Sequence, residues 1–192
     1  MALPDPHQWT PAEYLAFERA AATKHEFVDG QPVAMSGASR AHNLLVGAFV
    51  SLLYSGLRGR PCEVYPSDMR VKVAPSGLYT YPDVTVVCGE PLFTDDHVDT
   101  LTNPTLLVEV LSESTESYDR GKKFQHYRQL ESLQEYLLVS QSEPRVERFA
   151  RVRGDDWLLT DAHGQDASIT LTSVDVEISL AELYERIDFD PE

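Results

Sequence analysis

Apolar positions recur at two periods along the chain, and the switches between those periods outline its elements. Thr10-Pro11-Ala12-Glu13 opens the first: a threonine that can cap, a proline suited to the first helical turn, and a glutamate placed to complete a capping box. This pattern predicts a helix to about Ala22. Glu26-Phe27-Val28 and Pro32-Val33-Ala34-Met35 flank Asp29-Gly30, which reads as a β-hairpin. Between Ala41 and about Leu57, Leu44, Leu45, Phe49, Leu52 and Leu53 fall at helical spacing. Extended runs follow at Cys62–Tyr65, Met69–Val73, Tyr81–Val87 and Thr105–Leu111. The polar, acidic stretch from Glu90 to Asn103 reads as a loop free to move, a lid or a partner surface.

Helical character returns from Ser114 to Leu133, then Tyr136–Val139 predicts a short buried strand. Val146–Val152 and Asp156–Thr160 predict a hairpin around Gly154, and Ser179-Leu180-Ala181-Glu182 opens a last short helix with a second capping box. No repeat, low-complexity tract or linker interrupts the order. With 192 residues the reading is one domain, 1–192, of the α+β class.

Composition narrows the function classes. At 42% hydrophobic and 24% charged residues the chain can build a core. No apolar run is long enough to span a membrane, and the N-terminal residues lack the pattern of a secretory signal. Cys62 and Cys88 are too few for a disulfide scaffold or a zinc cage, so both read as buried small hydrophobes and the compartment as a reducing, cytoplasmic one. The net charge of −15 argues against nonspecific wrapping of nucleic acid by the whole surface. Residues 131–192 carry 15 acidic against 5 basic side chains, so a polyanion contact belongs to the first two thirds.

Two acids stand out. Asp83 follows a proline at the head of an apolar strand, and Glu109 sits inside Leu106-Leu107-Val108-Glu109-Val110-Leu111. A carboxylate in so apolar a strand is costly to bury unless paired, hydrogen-bonded or bound to a metal. If the two strands are neighbours, their carboxylates converge at one end of a sheet, an arrangement that suits Mg²⁺ with water completing its shell. Lys123 lies on the helix that follows Glu109. Asp119 and Tyr127 stand four residues either side of it and share its face. Such a lysine could serve a metal-bound phosphate, or simply pair with Asp119. Two carboxylates also formally allow a glycosidase, but Trp9 and Trp157 lie near opposite ends of the chain and suggest no sugar platform.

Glu109-Val110-Leu111-Ser112, Ser114-Thr115, Tyr118-Asp119-Arg120-Gly121-Lys122-Lys123-Phe124, Tyr127 and Glu135-Tyr136 resemble the signature of the Uma family of restriction-endonuclease-like proteins, in the PD-(D/E)XK nuclease superfamily. Lys24–Gly30, His42-Asn43 and Tyr81-Pro82-Asp83-Val84 resemble it as well, so the likeness covers about residues 8 to 185. It implies a central mixed sheet flanked by helices, with Asp83 and Glu109 as metal-binding carboxylates, Glu26 as a third acid, and Mg²⁺ or Mn²⁺ as cofactor. The superfamily lysine two residues after the second acid is replaced here by Leu111, and the resemblance points to Lys123 in its stead.

The function this implies is metal-dependent hydrolysis of phosphodiester bonds in nucleic acid, DNA ahead of RNA. Arg70, Lys72, Arg120 and Lys122 are then candidate contacts to backbone phosphates, and a homodimer is the expected assembly. The alternative is a nuclease-fold protein that has lost catalysis and serves as a binding or assembly module.

Overall fold

The computed structural model describes residues 7–189. It opens with α1 (Pro11–Ala20), where the capping box forms: Glu13 N donates to Thr10 Oγ1 at 3.2 Å, and Thr10 N donates to Glu13 Oε2 at 2.7 Å. The hairpin of β1 (His25–Val28) and β2 (Gln31–Ala34) closes through two residues. Asp29 and Gly30 hold φ of 49° and 78° there, the left-handed pair that a type I′ turn requires. α2 (Arg40–Gly56) starts at Ser39, whose hydroxyl accepts from His42 N, and buries Leu45, Phe49 and Leu53 along one stripe.

Two larger sheets organise the rest. The central one is mixed and six-stranded: β3 (Cys62–Pro66), β6 (Val84–Cys88), β8 (Leu106–Val110), β9 (Glu135–Val139), β10 (Arg145–Arg153) and β11 (Asp156–His163), in the order β11-β10-β9-β8-β6-β3. Only β8 and β9 run parallel. The second sheet joins the first hairpin to β4 (Arg70–Val73), β5 (Leu78–Thr80) and β7 (Thr100–Leu101), in the order β2-β1-β5-β4-β7. All residues of β8 and β9 are buried, because the central sheet is covered on both faces. Leu106, Val108 and Val110 face a cluster shared with α2 and the C-terminal segment. Leu107 and Leu111 face the opposite cluster, with Val71, Val73, Tyr127 and Tyr136. Period-two alternation therefore sets Glu109 on the second face.

Several expectations change. The run Tyr81–Val87 is not one strand: β5 ends at Thr80 in one sheet and β6 begins at Val84 in the other. Pro82, which has no N–H to give a ladder, sits at the crossing. The helix expected over 114–133 is broken into α3 (Glu116–Tyr118), a π-helical turn at Asp119–Lys123, and α4 (Phe124–Tyr127). Gly121, a weak helix former, lies at the centre of that turn. The Glu90–Asn103 segment is not loose. Arg19 binds Asp95 and Asp99, Arg70 binds Asp99 at 3.0 Å, and β7 pairs with β4.

At the C-terminal end, β12 (Ser168–Leu171) and β13 (Val176–Ser179) form a hairpin that the sequence reading left out, followed directly by α5 (Leu180–Leu183). The second capping box does not form. Ser179 is the last residue of β13, paired with Ser168, and its side chain makes no capping hydrogen bond. The cysteines also depart from expectation. Cys62 and Cys88 stand directly opposite in the β3–β6 ladder and form a disulfide. Their separation of 26 positions gave no sign of that pairing. The bridge removes the basis on which a reducing compartment was inferred. Among the described residues, no helix is long and apolar enough to cross a membrane.

Candidate active site

The seam between the two sheets gathers charged side chains from four parts of the chain. Glu26 comes from β1 and Asp83 from the crossing between β5 and β6. Glu109 comes from β8, and Asp119 and Lys123 from the π-helical turn. Because β6 and β8 pair with Val84 opposite Val108, Asp83 and Glu109 sit at the same end of neighbouring strands. Lys123 Nζ lies 3.0 Å from Glu109 Oε1, 3.4 Å from Glu26 Oε1 and 3.5 Å from Asp119 Oδ1. The tighter winding expected of the helix gives way to a π turn here, a feature frequent at functional sites, yet Asp119 and Lys123 remain on one face.

Three of the acids also accept hydrogen bonds from groups other than Lys123. Tyr127 donates its hydroxyl to Glu109 Oε1 at 2.7 Å, and Thr80 donates to Glu26 Oε1. Asp83 accepts from two sides: His42 Nε2 reaches Oδ1 at 2.9 Å, and Val110 N reaches Oδ2 at 2.7 Å. Burial pushes the Glu109 carboxyl well above its ordinary range. Lys123 opposes that rise, while Asp83 and Asp119 add to it and the Tyr127 hydrogen bond lowers it. Asp119 is raised too, first by burial. Burial alone would lower the Lys123 ammonium, but Glu109, Glu26 and Asp119 override it and hold the group protonated well above its usual range.

Four carboxylates thus surround or adjoin a single ammonium, and the excess negative charge bears on whether a cation fits. Among the described residues no three Asp, Glu, His or Cys side chains form a ready metal cage. The donor chemistry still suits a hard divalent ion. Mg²⁺ is commonly held by one or two carboxylates, with water and substrate phosphate oxygens filling its remaining positions. Asp83 and Glu109 supply such oxygens, Glu26 meets Glu109 at Lys123, and a cation would offset the charges of Asp83 and Asp119 that add to the effect of burial on Glu109. The residues present fit the ion.

The four candidate phosphate contacts separate. Arg70 is buried, with its guanidinium committed to Thr100, Tyr81 and Asp99; it is an interior strut rather than a phosphate contact. Arg70 begins β4, opposite Thr100 of β7. Arg120 is half-buried and paired with Glu116 and Glu147. Lys122 is exposed and Lys72 half-buried over the Tyr79 ring, and neither has an ion-pair partner among the described residues.

Two further residues serve the site without having been singled out as site residues from the sequence. His42, in the first turn of α2, leaves the capping to Ser39 and turns its ring to Asp83. Tyr127 is a core residue by burial, yet its hydroxyl bonds Glu109. Its place four residues after Lys123 was the available signal.

Comparison with known proteins agrees with this architecture. Residues 11–181 match the Uma2 family, described as "Putative restriction endonuclease". Two uncharacterized proteins of Synechocystis sp. are similar. The protein sll1609 is 44% identical over 160 residues, covering 83% of this chain and 90% of its own length. The protein slr1290 is 36% identical over 182 residues, covering 94% and 93%. The crystal structure of a protein from Anabaena variabilis, titled a putative nuclease belonging to DUF820, superposes with a TM-score of 0.74 over 91% of this chain and 96% of that one. At 17% identity that likeness speaks for the fold, which is restriction-endonuclease-like. With a family match that spans nearly the whole described chain, this protein belongs to the Uma2 family.

Proposed function

We propose that this protein hydrolyses phosphodiester bonds in nucleic acid, DNA ahead of RNA, at the seam built by Asp83, Glu109, Glu26 and Lys123. The observation that carries the reading is the buried Lys123 ammonium, 3.0 Å from Glu109 although Leu111 occupies the position two residues after that acid. The helical segment brings to the second acid the cation that the strand lacks. The family's description as a restriction endonuclease supports the choice of substrate.

Asp83 and Glu109 would hold Mg²⁺ or Mn²⁺, with Glu26 assisting. A divalent cation there supplies Lewis acidity at a phosphoryl oxygen and acidifies water. The protein's own groups do the rest. His42 and Val110 N fix the Asp83 carboxylate, and Tyr127 fixes that of Glu109. Lys123 stays protonated, so it acts as a positive donor that neutralises charge building on the phosphate, not as a general base. Lys72 and Lys122 are the side chains best able to meet flanking phosphates.

One observation favours the alternative, a binding or assembly module without catalysis: both Asp83 oxygens already have partners. The deciding experiment is Mn²⁺ calorimetry on the wild type, Asp83→Ala and Glu109→Ala, each confirmed folded, followed by DNA and RNA cleavage by wild type and Lys123→Ala. Metal binding lost in either carboxylate variant, with cleavage lost in Lys123→Ala, is the expected result. A folded wild type that neither binds Mn²⁺ nor cleaves puts the binding module first.

A further inference from the structure

The outward face of α2 is not that of an ordinary surface helix. Leu45, Phe49 and Leu53 turn inward, and a helix so placed normally sets charged side chains on its outer side. From Asn43 to Gly56 this one carries none, although 24% of the chain is charged. Asn43, Gly47, Ser51 and Tyr54 are exposed along it. Tyr54 is 66% exposed, as much as any large hydrophobic side chain among the described residues.

Two of these positions are complementary in shape. Tyr54 presents a ring to solvent, whereas Gly47 has no side chain and a Cβ there would meet nothing within 4 Å. Residues 47 and 54 stand two helical turns apart, about 10.5 Å, so both lie on one stripe. Gly47 and Ser51 also line a groove of about 500 Å³ between α2 and the segment that begins with α5, rimmed by Glu182, Glu185 and Arg186. An apolar cavity of about 150 Å³ already accepts benzene, so this groove has room for a phenol. The chain from Val176 to Asp188 runs back along α2: Val176 lies against Gly56, and Asp188 meets Arg40 at 3.9 Å. Glu185 therefore stands toward the Asn43 end of the groove.

We propose that this face receives a second copy of the chain, with α2 packed antiparallel on its counterpart about a two-fold axis between Val50 and Ser51. In that register each Tyr54 lies over the other copy's Gly47 and enters the groove beside it. One surface then supplies both knob and hole, as a two-fold interface requires. The small residues Gly47 and Ser51 let the two helices approach closely. The charges agree with the same register. Arg58, just beyond the end of α2, falls opposite Asn43, and so beside Glu185. Both Arg58 and Glu185 are exposed, and neither has an ion-pair partner among the described residues. Two chains of net charge −15 repel over most of their surfaces, which favours contact through a helix face without acids. The inference does not rest on the nuclease reading, because neither Tyr54 nor Gly47 belongs to the seam. Since α2 also carries His42, the partner of Asp83, the two-fold would fix the separation of the two seams.

Size exclusion with light scattering, at loadings from about 1 μM to about 1 mM, tests this on the full chain. The expected result is a species of twice the 21.6 kDa chain mass. Gly47→Glu puts bulk and charge into the hole but meets only open space in the single chain. It should weaken self-association at least about tenfold with no loss of helix by circular dichroism. Tyr54→Ser should weaken it as much by removing the knob. Arg58→Glu should also weaken it, and adding Glu185→Arg should restore it, because the pair is exchanged rather than lost. A chain that stays monomeric at every loading would overturn the proposal and leave the groove to a different partner. A dimer that survives both Gly47→Glu and Tyr54→Ser would overturn it as well, since it must use another surface. Failure of the exchanged pair to restore association would overturn the antiparallel register.

Discussion

Replacing Lys123 with methionine keeps most of the side chain's bulk and deletes the only ammonium among three carboxylates. Its Nζ lies 3.0, 3.4 and 3.5 Å from oxygens of Glu109, Glu26 and Asp119, and only 7% of the side chain is exposed. At an effective dielectric constant near 20, each contact represents roughly 5 kcal/mol of gross attraction, opposed by desolvation and by repulsion among the acids. The net effect of removing one partner from a buried ion pair is about 3–5 kcal/mol. That is a large share of the stability of an ordinary domain.

The penalty should depend on pH, and the direction follows from the carboxylates. Glu109 and Asp119 already bind protons more tightly in the folded protein than free carboxylates do, and without Lys123 they bind them more tightly still. A folded state that holds more protons than the unfolded chain loses stability as pH rises. Lys123→Met should therefore be most destabilised near about pH 8 and recover toward about pH 5, where protonation discharges the acids. Urea unfolding of wild type and variant across that range, in the presence of EDTA, measures it. Adding Glu109→Gln to Lys123→Met should restore at least about half of the loss, as expected for directly coupled residues. A penalty under about 1 kcal/mol, or one that is flat with pH, would refute the charge balance argued for the seam.

Tyr127→Phe removes the donor to Glu109 and should cost about 1.5–3 kcal/mol by the same unfolding assay. Glu135→Ala should loosen the C-terminal hairpin, because this buried carboxylate accepts from the backbone and hydroxyls of Thr172 and Ser173 and pairs with Arg148; faster hydrogen exchange over residues 168–179 is the readout. Asp99 is held well below the usual carboxylate range by Arg19 first, then Thr100 and Arg70. Its contribution is present above the unfolded carboxylate value and is lost as pH falls, so Asp99→Asn should flatten the acid limb of the stability profile. Reduction of the Cys62–Cys88 bridge should lower stability by about 3–4 kcal/mol on loop entropy, visible as a fall in Tm with dithiothreitol.

The sequence carried the features set by neighbours along the chain. Asp29-Gly30 announced its hairpin because few dipeptides accept two left-handed residues in succession. The alternation through Leu106–Leu111 put Glu109 on the face of Leu107 and Leu111, where the structure has it. Features that depend on remote partners were opaque. Arg70 looked like a surface cation because nothing nearby in sequence reveals that Asp99 and Thr100 will cover it. Nothing near His42 in the sequence reveals its partner, because Asp83 lies 41 residues on. The 26-residue separation hid the cysteine pairing in the same way. Bringing Glu26 into the site required the family resemblance; the strand pattern itself singled out Asp83 and Glu109, and helical spacing put Lys123 on one face with Asp119 and Tyr127.

The passage from Thr80 to Val84 couples the two sheets mechanically. Three residues carry the chain from the smaller sheet into the central one, so neither strand can slide without drawing the other with it. A slip of one residue reverses which side chains face inward, and Asp83 lies inside the coupling itself. Glu26 is geared to β5 through its own strand, where Phe27 pairs with Tyr79, and Glu109 is geared to β6 through Val108 and Val84. The distance between those two acids is thus set by the length of a three-residue spacer. One extra residue between Thr80 and Val84 is accordingly the smallest lesion that would pull Glu26 and Glu109 out of phase while sparing the pairing within each sheet.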